Sequence, residues 1–302
     1  MSQSNWLEVA YSTTDFDKLI AKFRSAETLP DLPASALQLC DAIDKGDANT
    51  SELERIILAD PAITAQVLKS ANSAQYGGQT SQASTARGAI LLLGHKAIRS
   101  IAVAVWVHAL VHQAKGSPKF SATRFAMHSM FVGFLSKYLL SSIQKTRGVK
   151  SAWSPDELFA AGVLHDLGLG LLASVDSRLY EKTFEAAAAY NITLNHAFFK
   201  LTGRSIDVLS VAAAQVWRLP AVFIDVLSGY SDPLNANAEV DALCCLHYAD
   251  HLANQTGNSL WTWRVDKPID PVIYERVGLA PDDIPAVLAL VSNHTKDFVA
   301  AA

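Results

Sequence analysis

Apolar residues recur at separations of three and four along nearly the whole chain. In the stretch 53–68, for example, apolar side chains occupy positions 53, 56, 57, 63, 67 and 68. This spacing places them on one face of an α-helix, whereas the period-2 alternation of a half-buried strand is not convincing anywhere. The pattern therefore predicts an all-α, multi-helical protein of roughly a dozen helices.

Local signals indicate where several of these helices begin and end. Asp60-Pro61 offers an N-cap followed by proline in the first turn, and residues 154–157, Ser-Pro-Asp-Glu, form a capping box. Ser121 is another candidate N-cap. We expect Gly168 to help end the helix that starts near 155, and a terminal helix to begin through Pro281 and Asp283.

Breaks in the pattern divide the chain into segments. The polar start and the stretch LPDLPAS at 29–35 suggest one boundary, and the loop QAKGSPKF at 113–120 suggests another. The prediction is an N-terminal helical extension, a main domain made of a helical N-terminal lobe and a helical bundle, and C-terminal helices that complete the bundle. These segments are 1–28, 29–230 (lobe 29–112, bundle 121–230) and 231–302.

Composition narrows the class of protein. Of the 302 residues, 50% are hydrophobic and 18% are charged, which argues against long disordered regions. A net charge of −4 gives no general attraction for nucleic acid or anionic lipid. The longest strongly apolar run, 101–111, is shorter than the ~20 residues of a membrane span, and the N-terminus lacks the pattern of a signal peptide. Three cysteines without CxxC spacing fit reduced thiols, so we expect a cytoplasmic protein without membrane contact.

The stretch AAGVLHDLGLGLL at 160–172 contains the adjacent pair His165 and Asp166 in an apolar run. Neighbouring side chains on a helix diverge by about 100°, so both reach one ion only at the helix edge, with other ligands on separate helices. His128 and Asp250, which lie on apolar helices, are the candidates. Two imidazoles and two carboxylates would suit Fe, Mn or Zn. Two alternatives stay open: the histidines are core residues, and Asp166 caps the next helix.

Other polar groups have simpler interpretations. No glycine-rich phosphate loop and no nucleophile elbow occurs. We interpret Arg87, Lys96 and Arg99 as a solvated face. Asp60 and the pair Asn72-Ser73 are most simply helix caps, with ligand contact by Asn72 as the alternative.

Four stretches together resemble the HDOD domain, the HD-related output domain of bacterial signalling proteins. The resemblance covers roughly 29–230, and more loosely the helix to 253. It implies an all-α fold in which an N-terminal lobe packs on an HD-like bundle. The stretches are LPDLPASALQL at 29–39, ILADPAITAQVLKSANSAQYG at 57–77, ARGAILLLGHKAIRSIAVA at 86–104, and the stretch around His165.

HD superfamily enzymes are metal-dependent phosphohydrolases with ligands in the order H…HD…D. The resemblance assigns these positions to His128, His165, Asp166 and Asp250, and implies one divalent ion, Fe, Mn, Zn or Mg. This chain departs from the pattern of related proteins at positions that matter for catalysis. The related cyclic-di-GMP phosphodiesterases read HDIGK, whereas this chain has Leu169 in place of the lysine. Many relatives have histidines where this chain has Ile206 and where it reads Gly-Tyr-Ser-Asp-Pro at 229–233.

The resemblance and these departures predict a stand-alone, non-catalytic output module of bacterial signal transduction with a degenerate HD site. It would act by binding a partner protein or a small ligand such as a nucleotide second messenger. The alternative is a phosphohydrolase that acts on a nucleotide or cyclic dinucleotide through a single-ion site. Nucleic-acid binding ranks last, because only the abundance of helices favours it.

Overall fold

The computed structural model describes residues 12–25, 33–46, 48–72, 83–113, 117–237, 239–262 and 268–300, together with Leu29 and Val265. The predicted all-α class is confirmed, because the described residues form sixteen α-helices and no strand. In chain order the helices are α1 Thr13–Phe23, α2 Ala34–Asp44, α3 Thr50–Leu58, α4 Pro61–Ala71, α5 Ala86–Leu93, α6 His95–Gln113, α7 Ala122–Arg147, α8 Pro155–Leu164, α9 Leu167–Val175, α10 Ser177–Tyr190, α11 Leu194–Thr202, α12 Asp207–Val216, α13 Ala221–Gly229, α14 Val240–Gln255, α15 Pro271–Val277 and α16 Ile284–Val299.

The predicted helix starts are found at the expected residues. Asp60 caps α4 by accepting from the main-chain N–H groups of Ala62 and Ile63. Ser121 caps α7, and Ser154 forms a full capping box with Glu157 at the start of α8. These side chains satisfy main-chain donors that lack partners within the helix, which is why short local motifs located them.

Gly168 does not end α8, so that expectation was wrong. The helix ends at Leu164, and Gly168 lies in the first turn of α9. A Cβ at Gly168 would lie 2.6 Å from the main-chain nitrogen of Ser210 on α12. The glycine is therefore explained by the close packing of α9 on α12.

The long helix α7 is the centre of the bundle. It packs against α6, α8, α14 and α16, and its buried residues lie all around the helix. A helix that is apolar on every side is typical of a core element surrounded by others. Because α7 contacts so many neighbours, it can bring side chains from several distant segments together.

Helices α2 to α5 form the N-terminal lobe, and α6 joins this lobe to the bundle. Helix α6 packs against α2 and α4 on one side and against α7 and α8 on the other. The chain bends by 113° between α5 and α6, at Gly94. Gly94 has φ +79° and ψ 164°, a conformation that is essentially restricted to glycine.

The first helix, α1, packs on the bundle. It contacts α12, and the Phe16 ring meets Phe198 edge-on at 6.4 Å between centroids. The remainder of the predicted extension lies mostly outside the described residues, as does Ser73. The segment boundaries proposed from the sequence stay predictions.

The interpretation of Arg99 as a solvated side chain was wrong. Arg99 is only 4% exposed and forms ion pairs with Asp44 on α2 and Glu157 on α8. Lys96 donates to Glu157 across 2.9 Å. Arg99 on α6 therefore links α2 of the lobe to α8 of the bundle through Asp44 and Glu157.

Helices α7 and α8 approach each other at two glycines. A Cβ at Gly162 would lie 2.7 Å from the Cα of Gly133, and a Cβ at Gly133 would lie 2.8 Å from the main-chain oxygen of Phe159. Neither separation is tolerated between real carbon and backbone atoms. The two backbones are thus in direct contact, at a spacing that only glycine permits.

Within the described residues, one helical stretch, Pro155–Val175, is long and apolar enough to be a candidate membrane span. Of its most apolar 18 residues, 89% are buried inside the fold. This stretch comprises α8 and α9. The bent pair α5–α6 is also long and apolar enough when its two helices are taken together.

The glycine contact gives a first prediction. Gly162→Ala should lower the free energy of unfolding by about 2–3 kcal/mol, because the added methyl group overpacks a contact between two backbones. Urea unfolding measures this loss. The control is Gly203→Ala, where φ is +68° and no atom lies within 4 Å of an added Cβ. It should cost only the left-handed backbone strain, about 1 kcal/mol. Equal losses in the two variants would contradict the packing argument.

The buried ion pair gives a second prediction. Glu157→Gln keeps the capping box but removes the charge that faces Arg99, and should cost about 2–3 kcal/mol at pH 7. Burial raises the pKa of Glu157, but its bonds to Ser154 and Lys96 outweigh burial and hold that pKa below its usual value. Ionised Glu157 therefore stabilises the fold above the unfolded-state pKa. The advantage of wild type over the variant should shrink as pH falls through about 4. An advantage that stays constant down to pH 3 would argue against a charge effect.

Candidate metal centre

Four separate elements contribute the four residues expected to bind a metal. His128 lies on α7, His165 follows the last residue of α8, Asp166 precedes α9, and Asp250 lies on α14. Both histidines have no exposed surface, and Asp166 is 6% exposed. The contact of α7 with α8 and α14 brings together residues that are up to 122 positions apart in the sequence.

Main-chain carbonyls fix the orientation of both imidazoles. His128 Nδ1 lies 2.7 Å from the oxygen of Asn258, and His165 Nδ1 lies 2.7 Å from the oxygen of Gly162. A carbonyl can only accept, so each Nδ1 carries the hydrogen and donates it. In the neutral tautomer each Nε2 therefore presents a lone pair, and this arrangement is typical of metal-ligating histidines.

The ligand atoms of His128, His165 and Asp166 all lie within 4.8 Å of one another, and Asp250 contacts both imidazoles. The two Nε2 atoms are 3.3 Å apart. Asp166 Oδ2 lies 3.4 Å from Nε2 of His128 and 3.3 Å from that of His165, and Asp250 Oδ1 lies at 3.3 and 3.6 Å from the same two atoms. Neighbouring ligands on one ion at about 2.1 Å are roughly 3.0–3.4 Å apart, in octahedral or tetrahedral geometry. The side chains present fit a single divalent ion.

The electrostatics of the cluster require a positive charge. The two imidazole lone pairs face the carboxylate oxygens of Asp166 and Asp250, so no donor lies between the histidines and the carboxylates unless a proton or metal ion is shared. Burial lowers the pKa of His128 and His165, but Asp166 and Asp250 outweigh burial and raise the pKa of both, that of His165 strongly. Burial raises the pKa of Asp166, yet His165 and His128 reduce it to about 2. The pKa of Asp250 is likewise held below its usual range by the two histidines.

The structure decides one of the alternatives left open by the sequence. Asp166 occupies the N-cap position of α9, but its side chain makes no capping hydrogen bond. Its Oδ2 atom instead lies beside both histidines. Asp166 is therefore not explained as a helix cap.

The positions where the resemblance implied further histidines hold other groups. Ile206 is buried in the core, and Asp207 beside it accepts hydrogen bonds from Ser205 and Ser231. Tyr230 packs edge-on against the His165 ring, with the centroids 5.4 Å apart. Burial raises the pKa of both Asp207 and Tyr230. No imidazole stands at these positions to hold a second ion.

A cavity of about 570 Å³ opens onto the cluster. Asp166 and Asp250 line it, and so does Leu169, the residue in place of the lysine expected from the phosphodiesterase branch. His196, His247 and Asn254 contribute polar groups to its wall. We call it the metal cavity. Lysine and arginine are absent from its described lining.

Sequence reasoning missed three contributors to this centre. The Asn258 and Gly162 carbonyls orient the imidazoles, and Asn254 Nδ2 donates to Asp250 Oδ1 across 2.8 Å. Main-chain carbonyls have no sequence signature. Asn254 could have been found, because it lies four residues after Asp250 and thus on the same helix face.

Comparisons with solved structures place this fold among known ones. A Geobacter sulfurreducens HDOD domain protein of unknown function has a TM-score of 0.69 and 21% identity, with 95% of this chain and 98% of that chain covered. A Shewanella amazonensis protein provisionally named a phosphohydrolase has a TM-score of 0.66 and 21% identity, and the match covers 94% of this chain and 96% of that chain. A second protein from the same organism is provisionally named a metal-dependent phosphohydrolase. Its TM-score is 0.62 and its identity 20%, and the match covers 96% of this chain and 99% of that chain.

Among curated proteins, none matches the chain. The sequence profile described as "HDOD domain" matches residues 29–233, about two thirds of the length. The domain suggested by the motifs around Asp60, Gly94 and His165 is thus confirmed, and its HD-like bundle carries the cluster described above. This chain belongs to the HDOD family, which is related to the HD phosphohydrolase superfamily.

Proposed function

We propose that this protein is a bacterial signal-transduction output module that binds one divalent ion and acts by binding a partner, without hydrolysing phosphate esters. The observation that carries the metal site is the inward orientation of both Nε2 lone pairs toward Asp166 and Asp250. The proposal that the protein is bacterial is supported by the bacterial proteins that share its fold. Three free, buried cysteines fit a reducing cytoplasm.

The residues of the site have separate roles in this proposal. His128, His165, Asp166 and Asp250 would hold the ion, and the carbonyls of Gly162 and Asn258 keep both histidines in the tautomer that binds it. When bound, the ion would supply a positive charge at the base of the metal cavity. An oxygen of a small ligand, or of a side chain from a partner protein, could then enter the cavity beside Leu169.

The case against hydrolysis rests on what faces the ion. Phosphoryl transfer requires preorganised positive charge around the departing group, often from a second ion or a cationic side chain. Leu169 presents an apolar side chain to the metal cavity at the position of the phosphodiesterase lysine. Ile206 and the Asp207–Ser231 hydrogen bond occupy positions where the resemblance implied histidines.

Phosphohydrolase activity on a nucleotide or cyclic dinucleotide remains the second candidate. One observation favours it: the metal cavity, at about 570 Å³, is large enough for such a substrate and reaches both Asp166 and Asp250. A single ion supplies Lewis acidity, and the cavity wall then has to supply the other contacts to the phosphate.

The proposed metal site predicts the metal content of the protein. Wild type purified without chelator and without affinity-tag metal should contain about one divalent ion per chain, measured by elemental analysis. The His165→Ala, Asp166→Ala double variant should contain almost none, because two of the four ligands are lost. The control is His95→Ala, which removes an exposed histidine and should retain the ion. A folded wild type without bound metal after incubation with Mn, Fe, Zn and Mg salts would contradict the site.

Turnover assays separate the two candidate functions. With Mn, Fe or Mg added, wild type should hydrolyse a panel of nucleotides and cyclic dinucleotides no faster than the Asp166→Ala variant. A wild-type rate at least tenfold above that of Asp166→Ala would establish the hydrolase and overturn the non-catalytic proposal. Leu169→Lys is informative in that case, because an added cation in the metal cavity should raise the rate.

A further inference from the structure

A second cavity lies between the N-terminal lobe and the bundle, and it shares no lining residue with the metal cavity. Its volume is about 320 Å³, at the lower end of the range for small-molecule pockets. We call it the interlobe cleft. Helices α4, α6, α7, α8 and α16 contribute to its wall, which includes Gln66, Lys69, Ile101, Phe134, Phe159 and Phe298.

One wall of the interlobe cleft is aromatic. The Phe134 ring lies 4.8 Å from Phe159 and 5.9 Å from Phe298, measured between centroids. His294 extends this group, at 5.9 Å from Phe134. Flat apolar surfaces of this kind favour a planar ring, which can bury its faces by stacking or by edge-to-face contact.

The opposite side of the cleft contains a buried acceptor without a donor. Gln66 is 1% exposed, and its Oε1 atom has no hydrogen-bond partner among the described residues. An unsatisfied buried amide oxygen is costly, so such groups call for a specific explanation. A ligand that donates an N–H to Gln66 in the cleft would provide one.

The charges of the cleft limit the class of ligand. Two lysines line it, and each is near an acidic residue: Lys137 donates to Asp156 across 2.6 Å, and Lys69 donates to the main-chain oxygen of Asp297. Two lysines and two aspartates give the lining no formal net charge. A lining of this kind offers no excess positive charge for a phosphate group.

We propose that the interlobe cleft binds a small uncharged planar heterocycle with an N–H donor, the chemistry of a nucleobase or nucleoside. The ring packs against Phe134 and Phe159, and its N–H donates to Gln66 Oε1. The proposal is independent of the metal site, because it uses none of the ligand residues or the walls of the metal cavity.

Isothermal titration calorimetry of the full chain tests this proposal, with adenosine, guanosine, and their 5′-monophosphates as probes. Wild type should bind at least one nucleoside. Gln66→Leu and Gln66→Met should each weaken that binding at least tenfold, because both variants remove the acceptor at nearly constant volume. The melting temperature of each variant, measured alongside, checks that the protein is folded, because both variants remove the Gln66 Nε2 donor together with the unpaired oxygen. The matched control is Asp250→Asn in the metal cavity, which should bind the nucleoside as wild type does.

Three results would overturn the proposal. The first is no binding of any probe at millimolar concentration. The second is binding that Asp250→Asn weakens and the Gln66 variants do not, because the probe would then occupy the metal cavity. The third is a monophosphate that binds more than tenfold tighter than its nucleoside, which would show that the cleft selects an anion.

Discussion

The contact between α7 and α8 at Gly133 and Gly162 determines the geometry of the rest of the bundle. The two backbones meet where any larger residue would have to displace them. His128 is five residues before one glycine, and His165 is three residues after the other, so this spacing controls the separation of the imidazoles. Gly162 has a second role, because its carbonyl oxygen accepts the Nδ1 hydrogen of His165. The packing of two helices and the tautomer of a ligand thus depend on the same residue.

The cluster of His128, His165, Asp166 and Asp250 is electrostatically unfavourable without a bound cation or proton. Each Nε2 atom lies 3.3–3.6 Å from an oxygen of Asp166 and of Asp250, and the two Nε2 atoms are 3.3 Å apart, so the acceptors repel unless a cation is present. Protons can supply that charge, because Asp166 and Asp250 raise the pKa of both histidines. A divalent ion supplies the same charge with both histidines neutral. Hydrogen bonds to carbonyls orient both rings so that each Nε2 atom faces the carboxylates.

The success of sequence reasoning depended on the distance over which each feature acts. The caps at Asp60 and Ser154 involve residues within three positions, so short motifs located them. Their place on apolar helices made His128 and Asp250 candidates, but the family resemblance was needed to assign both to the site of His165 and Asp166, since no periodicity links residues so far apart. Arg99 was misjudged because its partners are 55 and 58 residues away. Gly168 was misjudged because its space is occupied by α12, a tertiary contact that composition does not reveal.

Helices α7 and α8 line the interlobe cleft, and they also position the two imidazoles, because His128 lies on α7 and His165 directly follows α8. His128 and His165 lie toward one side of the glycine contact, whereas Phe134 and Phe159 line the interlobe cleft. Phe134 is adjacent to Gly133, and the Phe159 oxygen faces Gly133 directly. Because the two backbones are in contact there, the same helix spacing fixes the Phe134–Phe159 pair, 4.8 Å apart between centroids, and the 3.3 Å between the two Nε2 atoms.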